Sequence, residues 1–293
     1  MAFYEIEFPL AALNCDLVEA ALLDIGASSI TFVDRGDEPV LEPKPGEFKL
    51  WSDTLVRALF QESSDAALNL NRLATVLGEH VTRTARVRAV EDQVWERAWL
   101  VGWKSMRFGR RLWVCPRTAE APPAPDAVVL RLDPGLAFGT GTHPTTALCL
   151  QILDSLPVAG RTVIDYGCGS GILGLAALKL GAAGVVAVDI DPQALLATRE
   201  NARHNGLSSN VTVQDTEAQL PAAFCVMANI LAGPLIELAP KLTAACEPGG
   251  VLLLSGLLKT QAYAVKAAYS SAFDIEQVVE RDDWCCMIAR REK

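Results

Sequence analysis

An apolar run that leads into three alternating glycines constrains the fold of this chain more than any other feature. Residues 163–173 read VIDYGCGSGIL, with Gly167, Gly169 and Gly171 between a strand-like and a helix-compatible stretch. Glycine is required in such a turn because the backbone must bend tightly and a ligand must approach it without interference from a Cβ atom. The segment therefore predicts a cofactor site at these three glycines, at the end of a strand in an α/β sheet.

Charge distinguishes between the two cofactors that such a loop can hold. Residues 169–174 match the dinucleotide pattern G-x-G-x-x-G, but this match alone is weakly specific. A dinucleotide places a diphosphate against the turn, whereas S-adenosylmethionine carries a cationic sulfonium and ammonium. Asp165 precedes the first glycine by two residues, and a carboxylate at ~4 Å favours a cation by a few kcal/mol. No Lys or Arg lies between Arg161 and Lys179. We therefore expect S-adenosylmethionine, whose usual loop in class I methyltransferases is D-x-G-x-G-x-G.

Acidic residues at the ends of the next two strands are candidates for contacts with the adenosine. Asp189 lies 22 residues after Gly167, at the end of the run VVAVD, where a carboxylate can accept both ribose hydroxyl protons. Asp191 precedes Pro192 and is more simply interpreted as a helix N-cap. Asp215 follows the third strand, where it either meets the adenine amino group or is solvated.

Strands alternate with helices from Val128 onward, which is typical of a parallel sheet covered on both faces. Five strands are expected at residues 162–165, 184–189, 211–214, 224–229 and 251–254. Residues 273–279 and 284–289 flank a charged turn and are expected to form a closing antiparallel hairpin. The pattern predicts an α/β fold with a seven-stranded, mostly parallel, Rossmann-like sheet of the class I methyltransferase type.

The first 92 residues predict a separate α+β domain. Short elements follow the order β-α-β-β-α-β, as in a ferredoxin-like split sandwich, with strands expected at residues 3–8, 29–33, 54–60 and 81–90 and helices at residues 16–23 and 65–77. Through Val90 this segment has 14 acidic and 8 basic side chains, a net charge of -6. It contains no nucleophile, metal cluster or phosphate loop, so we expect it to serve in recognition or as a scaffold.

Residues 93–126 are expected to connect this domain to a catalytic domain at residues 127–293. Trp95, Trp99 and Trp103 recur at helical spacing and suggest a packing stripe. Residues 106–114 suggest a hairpin that turns at Gly109, and the segment AEAPPAP at residues 119–125 is a stiff break.

Composition restricts the compartment and the partners. The 293 residues carry a formal charge of -9 and a pI of about 4.9, which argues against direct nucleic-acid binding because backbone phosphates require clustered Lys and Arg. The sequence shows neither a signal peptide nor an apolar run suited to crossing a membrane. Its eight cysteines lack the spacing of metal ligands. We expect a cytoplasmic protein that holds no metal and whose thiols are free and buried.

Two further segments complete a pattern that is typical of one family. Residues 132–146 read LDPGLAFGTGTHPTT upstream of the glycine loop, and residues 229–234 read NILAGP after the fourth strand. With the loop between them, they resemble the bacterial ribosomal protein L-eleven methyltransferases, and the resemblance covers the catalytic domain through Trp284-Cys285.

The resemblance implies a ferredoxin-like recognition domain, a flexible linker and a class I methyltransferase domain. It implies an enzyme that uses S-adenosylmethionine to trimethylate lysine side chains and the N-terminal α-amine of the large-subunit ribosomal protein L-eleven, with S-adenosylhomocysteine as the product. The protein substrate is expected to be free or not yet assembled into the ribosome. The cofactor contacts that it implies are Thr146, Gly167, Asp189 and Asn229, with Phe138 and Gly139 lining the site.

Asn229 is also the candidate catalytic residue on chemical grounds. Residues 229–232, NILA, occupy the place where amino-methyltransferases of planar substrates carry Asn or Asp, two prolines and an aromatic residue. The prolines and the aromatic are missing here, and the absence of the aromatic fits an aliphatic amine. Asn229 is expected to orient that amine by accepting its N–H groups. His143 invites assignment as a general base, but a single His without an orienting acid is more often structural. The helix that begins at residues 144–146 suits the methionine carboxylate through its free N–H groups and hydroxyls.

Two other functions stay open from the sequence. One is N-methylation of another protein or of a small amine on the same fold. The other is a non-catalytic scaffold that binds S-adenosylmethionine while its acidic first domain holds a basic protein.

Overall fold

Two units make up the chain in the computed structural model, Met1–Ala98 and Trp99–Lys293. The structure describes residues 3–36, 50–61, 63–90, 104–120, 124–133 and 141–293. The tryptophan stripe expected in the connector lies outside the described residues, as do Phe138 and Gly139.

The first unit is built on a four-stranded antiparallel sheet with the strand order β2-β3-β1-β4. Its elements are β1 (Phe3–Pro9), α1 (Cys15–Asp24), β2 (Ser29–Asp34), β3 (Thr54–Gln61), α2 (Ala66–Leu77), α3 (Glu79–Thr84) and β4 (Arg86–Val90). Alternate residues of β1 and β3 are buried, and they form one apolar core with the inward faces of the helices. The ferredoxin-like order is confirmed.

One element of this unit differs from the expected strand at residues 81–90. Its first part is the short helix α3 instead. The β-branched residues there favour a strand locally, but Val81 is fully buried in the core. The hydroxyl groups of Thr82 and Thr84 donate to the carbonyl groups of Glu79 and His80. Tertiary packing therefore overrides the local preference.

The second unit contains a seven-stranded sheet with the strand order β10-β9-β8-β11-β12-β14-β13. The first five of these strands are mutually parallel, and β14 pairs antiparallel with both β12 and β13. The strands are β8 (Thr162–Tyr166), β9 (Gly184–Val188), β10 (Val211–Gln214), β11 (Ala223–Asn229), β12 (Cys246–Leu258), β13 (Phe273–Arg281) and β14 (Trp284–Arg291). All five expected parallel strands and the closing hairpin are present, so the α/β fold class is confirmed.

In the described part of the second unit, six α-helices precede or connect these strands. They are α4 (Pro144–Leu153), α5 (Ile172–Lys179), α6 (Pro192–His204), α7 (Ala232–Glu237), α8 (Ala239–Ala245) and α9 (Ala262–Tyr269). One apolar core joins the sheet to α4, α5 and α6, and a second core joins it to α7, α8 and α9. Two helical layers thus cover the two faces of the sheet.

A small three-stranded sheet precedes α4 and belongs to the same unit. It consists of β5 (Met106–Phe108), β6 (Leu112–Cys115) and β7 (Val128–Arg131), with β6 parallel to β7. The hairpin turns at Gly109 as expected, and its apolar side chains are buried in the core shared with α4 and α5. It belongs to the segment that the sequence assigned to the connector, and its pairing with β7 is long-range and not visible locally.

A buried carboxylate anchors this hairpin to the end of α4. Asp154 accepts hydrogen bonds from the backbone N–H groups of Arg110 at 2.6 Å and Arg111 at 3.2 Å. A Cβ atom at Gly109, where φ is +67°, would lie 2.6 Å from the Asp154 carboxylate. Only glycine fits this turn.

All eight cysteines are free thiols, and seven of them are buried, as the sequence analysis expected. Within the described ranges, the structure contains no helix with the length and apolar character needed to cross a membrane.

Candidate functional site

Three glycines shape the loop that joins β8 to α5. Gly167, Gly169 and Gly171 have φ values of +75°, +54° and +78°, which L-residues with a side chain rarely adopt. A Cβ atom on Gly167 would lie 2.3 Å from Cγ2 of Ile230, and one on Gly171 would lie 2.9 Å from Thr198. The loop therefore needs glycine both for its conformation and for its close contacts.

Asp165 lies at the end of β8 and is 1% exposed. Its Oδ2 accepts a hydrogen bond of 2.8 Å from the Gly174 N–H in the first turn of α5. Burial raises the pKa of its carboxyl from 3.8 to about 7, and the nearby Asp189 adds to this increase. The carboxyl therefore braces the helix that follows the loop, and its ionisation is sensitive to any charge bound nearby.

Asp189 follows β9 and is half-buried. One carboxylate oxygen accepts a 2.9 Å hydrogen bond from the Gly169 N–H, and the other accepts a 3.0 Å bond from the Asp191 N–H. Asp189 thus ties the glycine loop to the next strand end, a role that the sequence did not indicate. Asp191 accepts from the Gln193 N–H as the N-cap of α6, so the N-cap interpretation is confirmed.

Cys168 lies within the loop and faces α6. Its Sγ is 3.3 Å from Oγ1 of Thr198, which in turn donates to the Gly169 carbonyl. Burial raises the pKa of the Cys168 thiol well above its ordinary value. The thiol therefore stays neutral and is not an activated nucleophile.

A cavity of about 560 Å³ opens beside the loop at the carboxyl edge of the sheet. Gly167, Asp189, Ile190, Thr216 and Ile230 contribute to its wall. Ile190 has 84% of its surface exposed, so it presents an apolar surface next to the Asp189 carboxylate. An apolar wall beside a hydrogen-bond acceptor suits a ligand that joins a flat ring to a hydroxylated sugar.

Charge in this cavity favours a cationic ligand. Its lining carries the carboxylates of Asp189, Glu217 and Glu237 and the ammonium group of Lys241. Lys241 is engaged with the protein, because its Nζ donates to the Thr216 carbonyl and lies 5.5 Å from the centre of the Tyr166 ring. The sequence analysis missed Lys241, since its contacts with both partners are long-range.

Asp215 lies on the exposed loop that follows β10. Its Oδ1 accepts a 3.0 Å hydrogen bond from the Glu217 N–H, so it shapes a local turn. Asp215 itself is not among the cavity-lining residues, whereas its neighbours Thr216 and Glu217 are. The solvated interpretation fits the structure better than a contact with an adenine ring.

Asn229 ends β11 next to the first turn of α4. Its Nδ2 donates a 3.2 Å hydrogen bond to Oγ1 of Thr146, which is 1% exposed. Its Oδ1 is buried and has no hydrogen-bond partner among the residues that the structure describes. Because a buried acceptor without a partner costs about 1–3 kcal/mol, this oxygen is poised for a donor that a ligand would bring.

His143 is the N-cap of α4. Its Nδ1 lies 2.8 Å from Oγ1 of Thr145 and 3.4 Å from the Thr145 N–H. Its ring packs edge-on against Trp284, with the ring centres 4.9 Å apart, and burial lowers the pKa of the imidazole. These contacts support the structural interpretation of His143 and place an aromatic side chain near the start of α4.

Ile190 and Ile230 also line the cavity and were not selected from the sequence. Each directly follows a polar residue that the analysis selected, Asp189 and Asn229 respectively. That adjacency is the signal that was available, because the residue after a strand end shares the same edge of the sheet. Across the described ranges, no group of three or more His, Cys, Asp or Glu is arranged to hold a metal ion.

Comparison with known proteins identifies the family. A family model described as ribosomal protein L11 methyltransferase (PrmA) matches residues 2–292. Curated ribosomal protein L11 methyltransferases from Sodalis glossinidius and Pseudomonas aeruginosa strain LESB58 are each 49% identical to the chain, over 99% of its length and 100% and 99% of theirs.

A solved structure supports the same conclusion. The crystal structure of ribosomal protein L11 methylase from Lactobacillus delbrueckii subsp. bulgaricus has 32% identity and a TM-score of 0.60, and the match covers 65% of this chain and 100% of that one. The resemblance inferred from three sequence segments is thus confirmed, and the chain belongs to the ribosomal protein L11 methyltransferase family.

Proposed function

We propose that this protein transfers methyl groups from S-adenosylmethionine to amines of ribosomal protein L11. The substrates are lysine side chains and the N-terminal α-amine, each methylated up to three times, on protein that is free or not yet assembled into the ribosome. The observation that carries the proposal is the buried Oδ1 of Asn229, which has no hydrogen-bond partner among the described residues and directly precedes Ile230 in the wall of the acidic cavity.

The residues around the cavity fit the adenosine of this cofactor. Gly167 and Ile230 pack together in the cavity wall, and Ile190 offers an apolar surface for the adenine. Asp189 can accept from ribose hydroxyl groups with the lone pairs that its two backbone N–H partners leave free. Family resemblance extends this assignment to Gly169 and Gly171, whose backbone conformations form the rest of the loop.

Two further features suit the methionine end of the cofactor. The first turn of α4, which contains Thr146, offers backbone N–H groups for a carboxylate. Asp165 stabilises the cationic centres through the electric field and not by contact, because its carboxyl is buried and bonded to the Gly174 N–H. Phe138 and Gly139 are proposed to line the same region.

S-adenosylmethionine, when bound, would supply an electrophilic methyl carbon that takes the lone pair of an amine, while the C–S bond breaks with its electron pair on sulfur to give S-adenosylhomocysteine. The chain must therefore present an amine that has lost its proton. A free lysine ammonium has a pKa of ~10.4, and burial beside a cationic centre lowers that value. Asn229 orients the neutral amine by accepting one of its N–H groups at Oδ1, which directs the nitrogen lone pair away from Asn229.

Positioning supplies most of the rate in this proposal, and no metal is required. The hydrogen bond from Asn229 Nδ2 to Thr146 Oγ1 fixes the side-chain amide so that its oxygen, and not its nitrogen, faces the amine. The proton that each methylation releases passes to solvent. For the second transfer the methylated amine must rotate so that its remaining N–H faces the same oxygen and its lone pair faces away from Asn229. The dimethylated amine has no N–H, so for a third transfer packing alone must direct its lone pair.

The first unit is proposed to recognise the protein substrate. Its net charge of -6 through Val90 suits a basic partner, since complementary charge mainly accelerates association. In the domain assignment we propose, residues 1–92 recognise the substrate, residues 93–126 connect the domains and residues 127–293 bind the cofactor and catalyse transfer, with the β5–β6 hairpin packed in the catalytic unit.

The test is transfer of a radiolabelled methyl group to purified ribosomal proteins, with intact-mass measurement of the products. Methylation confined to L11 supports the proposal. Transfer to a different protein, or to small amines only, would assign another substrate on the same fold. Binding of the cofactor without transfer to any ribosomal protein would identify a scaffold and overturn the enzymatic proposal.

Replacing Asn229 with alanine tests its role within this function. This change removes the hydrogen bond between two neutral groups, the amine N–H and Oδ1 of Asn229, that orients the reacting amine. We therefore expect kcat to fall at least about tenfold. The cofactor Kd measured by calorimetry should change by less than about threefold, since transition-state contacts affect kcat more than ground-state binding. A rise in Kd with unchanged kcat would place Asn229 in the cofactor shell instead.

A further inference from the structure

Strand β12 departs from regular pairing beside the site. Between the Leu254–Met287 pair and the Leu257–Cys285 pair, β12 contributes two residues and β14 contributes one. We call the two residues Ser255–Gly256 the β12 bulge. On the opposite edge of the strand, Ser255 is in register with Asn229. Bulges redirect strands and are over-represented next to active sites.

Gly256 makes an unusually close backbone contact at this bulge. Its φ is +83°, and a Cβ atom there would lie 2.4 Å from the Ile230 carbonyl oxygen and 2.9 Å from the Ile230 nitrogen. These are backbone atoms, so no side-chain rotation can relieve the collision. The Ile230 N–H also donates a 3.1 Å hydrogen bond to the Ser255 carbonyl. The bulge therefore fixes the peptide that immediately follows Asn229.

Ser255 links the same bulge to the helix that holds the other partner of Asn229. Its side chain is fully buried, and its Oγ lies 3.1 Å from the Cys285 carbonyl and 3.4 Å from the Thr145 carbonyl. Thr146, the next residue, accepts the hydrogen bond from Asn229 Nδ2. The bulge thus contacts both the backbone that carries Asn229 and the helical turn that orients its amide.

We propose that the β12 bulge is a positioning element that aims the free Oδ1 of Asn229 at the reacting amine, with Gly256 as its essential residue. This inference rests on the proposed role of Asn229 in orienting the amine. The absence of a Cβ atom at Gly256 allows the Ile230 peptide to lie against β12. Any side chain there pushes residues 229–230 away from the sheet, and Oδ1 moves with them.

The same strand offers a matched control for the test. Gly249 also has a positive φ, +73°, but a Cβ atom there would meet nothing within 4 Å. Gly249→Ala and Gly256→Ala therefore introduce the same methyl group at a similarly strained backbone position, and only the second collides with Ile230. Methylation of ribosomal protein L11 is measured for both variants well below their midpoints of thermal unfolding, so that lost stability does not affect the rate.

We expect Gly256→Ala to lower kcat at least tenfold relative to Gly249→Ala, since a displacement of ~1 Å costs up to about a hundredfold. The cofactor Kd should rise by a smaller factor than kcat falls, because Ile230 lines the cofactor cavity but the hydrogen bonds to Asp189 and Asp165 that hold the glycine loop do not involve it. Equal kcat values for the two glycine variants would overturn the inference, as would a loss confined to cofactor binding.

A double-mutant cycle separates this inference from the proposed function. If Gly256 acts through Asn229, adding Gly256→Ala to Asn229→Ala should lower kcat by less than about twofold further. An undiminished tenfold effect in that background would show that Gly256 acts elsewhere. Wild-type kcat in Asn229→Ala alone would instead refute the role of Asn229. Should Gly256→Ala fail to fold, Ser255→Ala replaces it, and full kcat in that variant contradicts the inference.

Discussion

Replacement of Asp165 by asparagine should remove a pH-dependent cost from the folded state. Burial raises the pKa of the carboxyl from 3.8 to about 7. Between these two values the carboxyl is protonated in the folded chain and ionised in the unfolded chain. The unfolded chain therefore binds fewer protons, and the free energy of unfolding falls as the pH rises through this window.

The size of the effect follows from the shift of the pKa. One pKa unit corresponds to ~1.4 kcal/mol, so the cost is about 1.5–2 kcal/mol at pH 5 and about 4 kcal/mol at pH 8. Asparagine keeps an oxygen for the Gly174 N–H but does not titrate. From pH 5 to pH 8, the free energy of unfolding of Asp165→Asn should therefore gain about 2–3 kcal/mol relative to the natural chain.

Urea unfolding followed by circular dichroism, without cofactor at both pH values, measures this difference. Asp215→Asn is the matched control, because it makes the same chemical change at an exposed position. Asp165→Asn should bind S-adenosylmethionine more weakly than the natural chain at pH 8, where the natural Asp165 carboxyl is ionised and attracts the cation. Identical pH dependence in Asp165→Asn and the natural chain would show that the buried carboxyl is not protonated, and the reasoning would fail.

Three further outcomes are expected. Asp189→Ala should weaken cofactor binding by about 1.5–3 kcal/mol, and it should also lower Tm because the Gly169 N–H loses its acceptor. An unchanged cofactor Kd measured by calorimetry would show that Asp189 does not bind the cofactor. Asp154→Ala should lower the free energy of unfolding by about 2–3 kcal/mol, measured in urea, since it anchors two hairpin N–H groups; a smaller loss than 1 kcal/mol would contradict this. A chain that starts at Lys104 should bind S-adenosylmethionine with the Kd of the full chain but methylate L11 with a raised KM. A kcat/KM equal to that of the full chain would refute the proposed recognition role of the first unit.

Local patterns were sufficient for the parts of the fold that depend on neighbours in sequence. The glycines of the cofactor loop need positive φ whatever surrounds them, and Asp191 caps the helix that begins immediately after it. Strand-end residues such as Asp189 and Asn229 could be placed together because parallel strands end at one edge of the sheet.

Features that depend on distant contacts could not be predicted in this way. Asp165 was expected to face a cation, but its partner is the Gly174 N–H within the protein. The β5–β6 hairpin depends on pairing with β7, and the α3 turn depends on burial of Val81. Gly256 resembles any glycine in an apolar strand until the backbone of Ile230 is placed against it. Each of these requires knowledge of which segments meet.

The position of β14 between β12 and β13 determines the order in which the protein can be completed during synthesis. Strands β12 and β13 do not pair with each other, and each pairs with β14. While residues 284–291 remain inside the ribosome, one edge of β12 and the whole of β13 therefore lack a partner. The first unit draws its sheet from residues 3–90 alone and can fold while translation continues. The seven-stranded sheet closes only after β14 has emerged, so the sheet of the first unit can form on the nascent chain before that of the second.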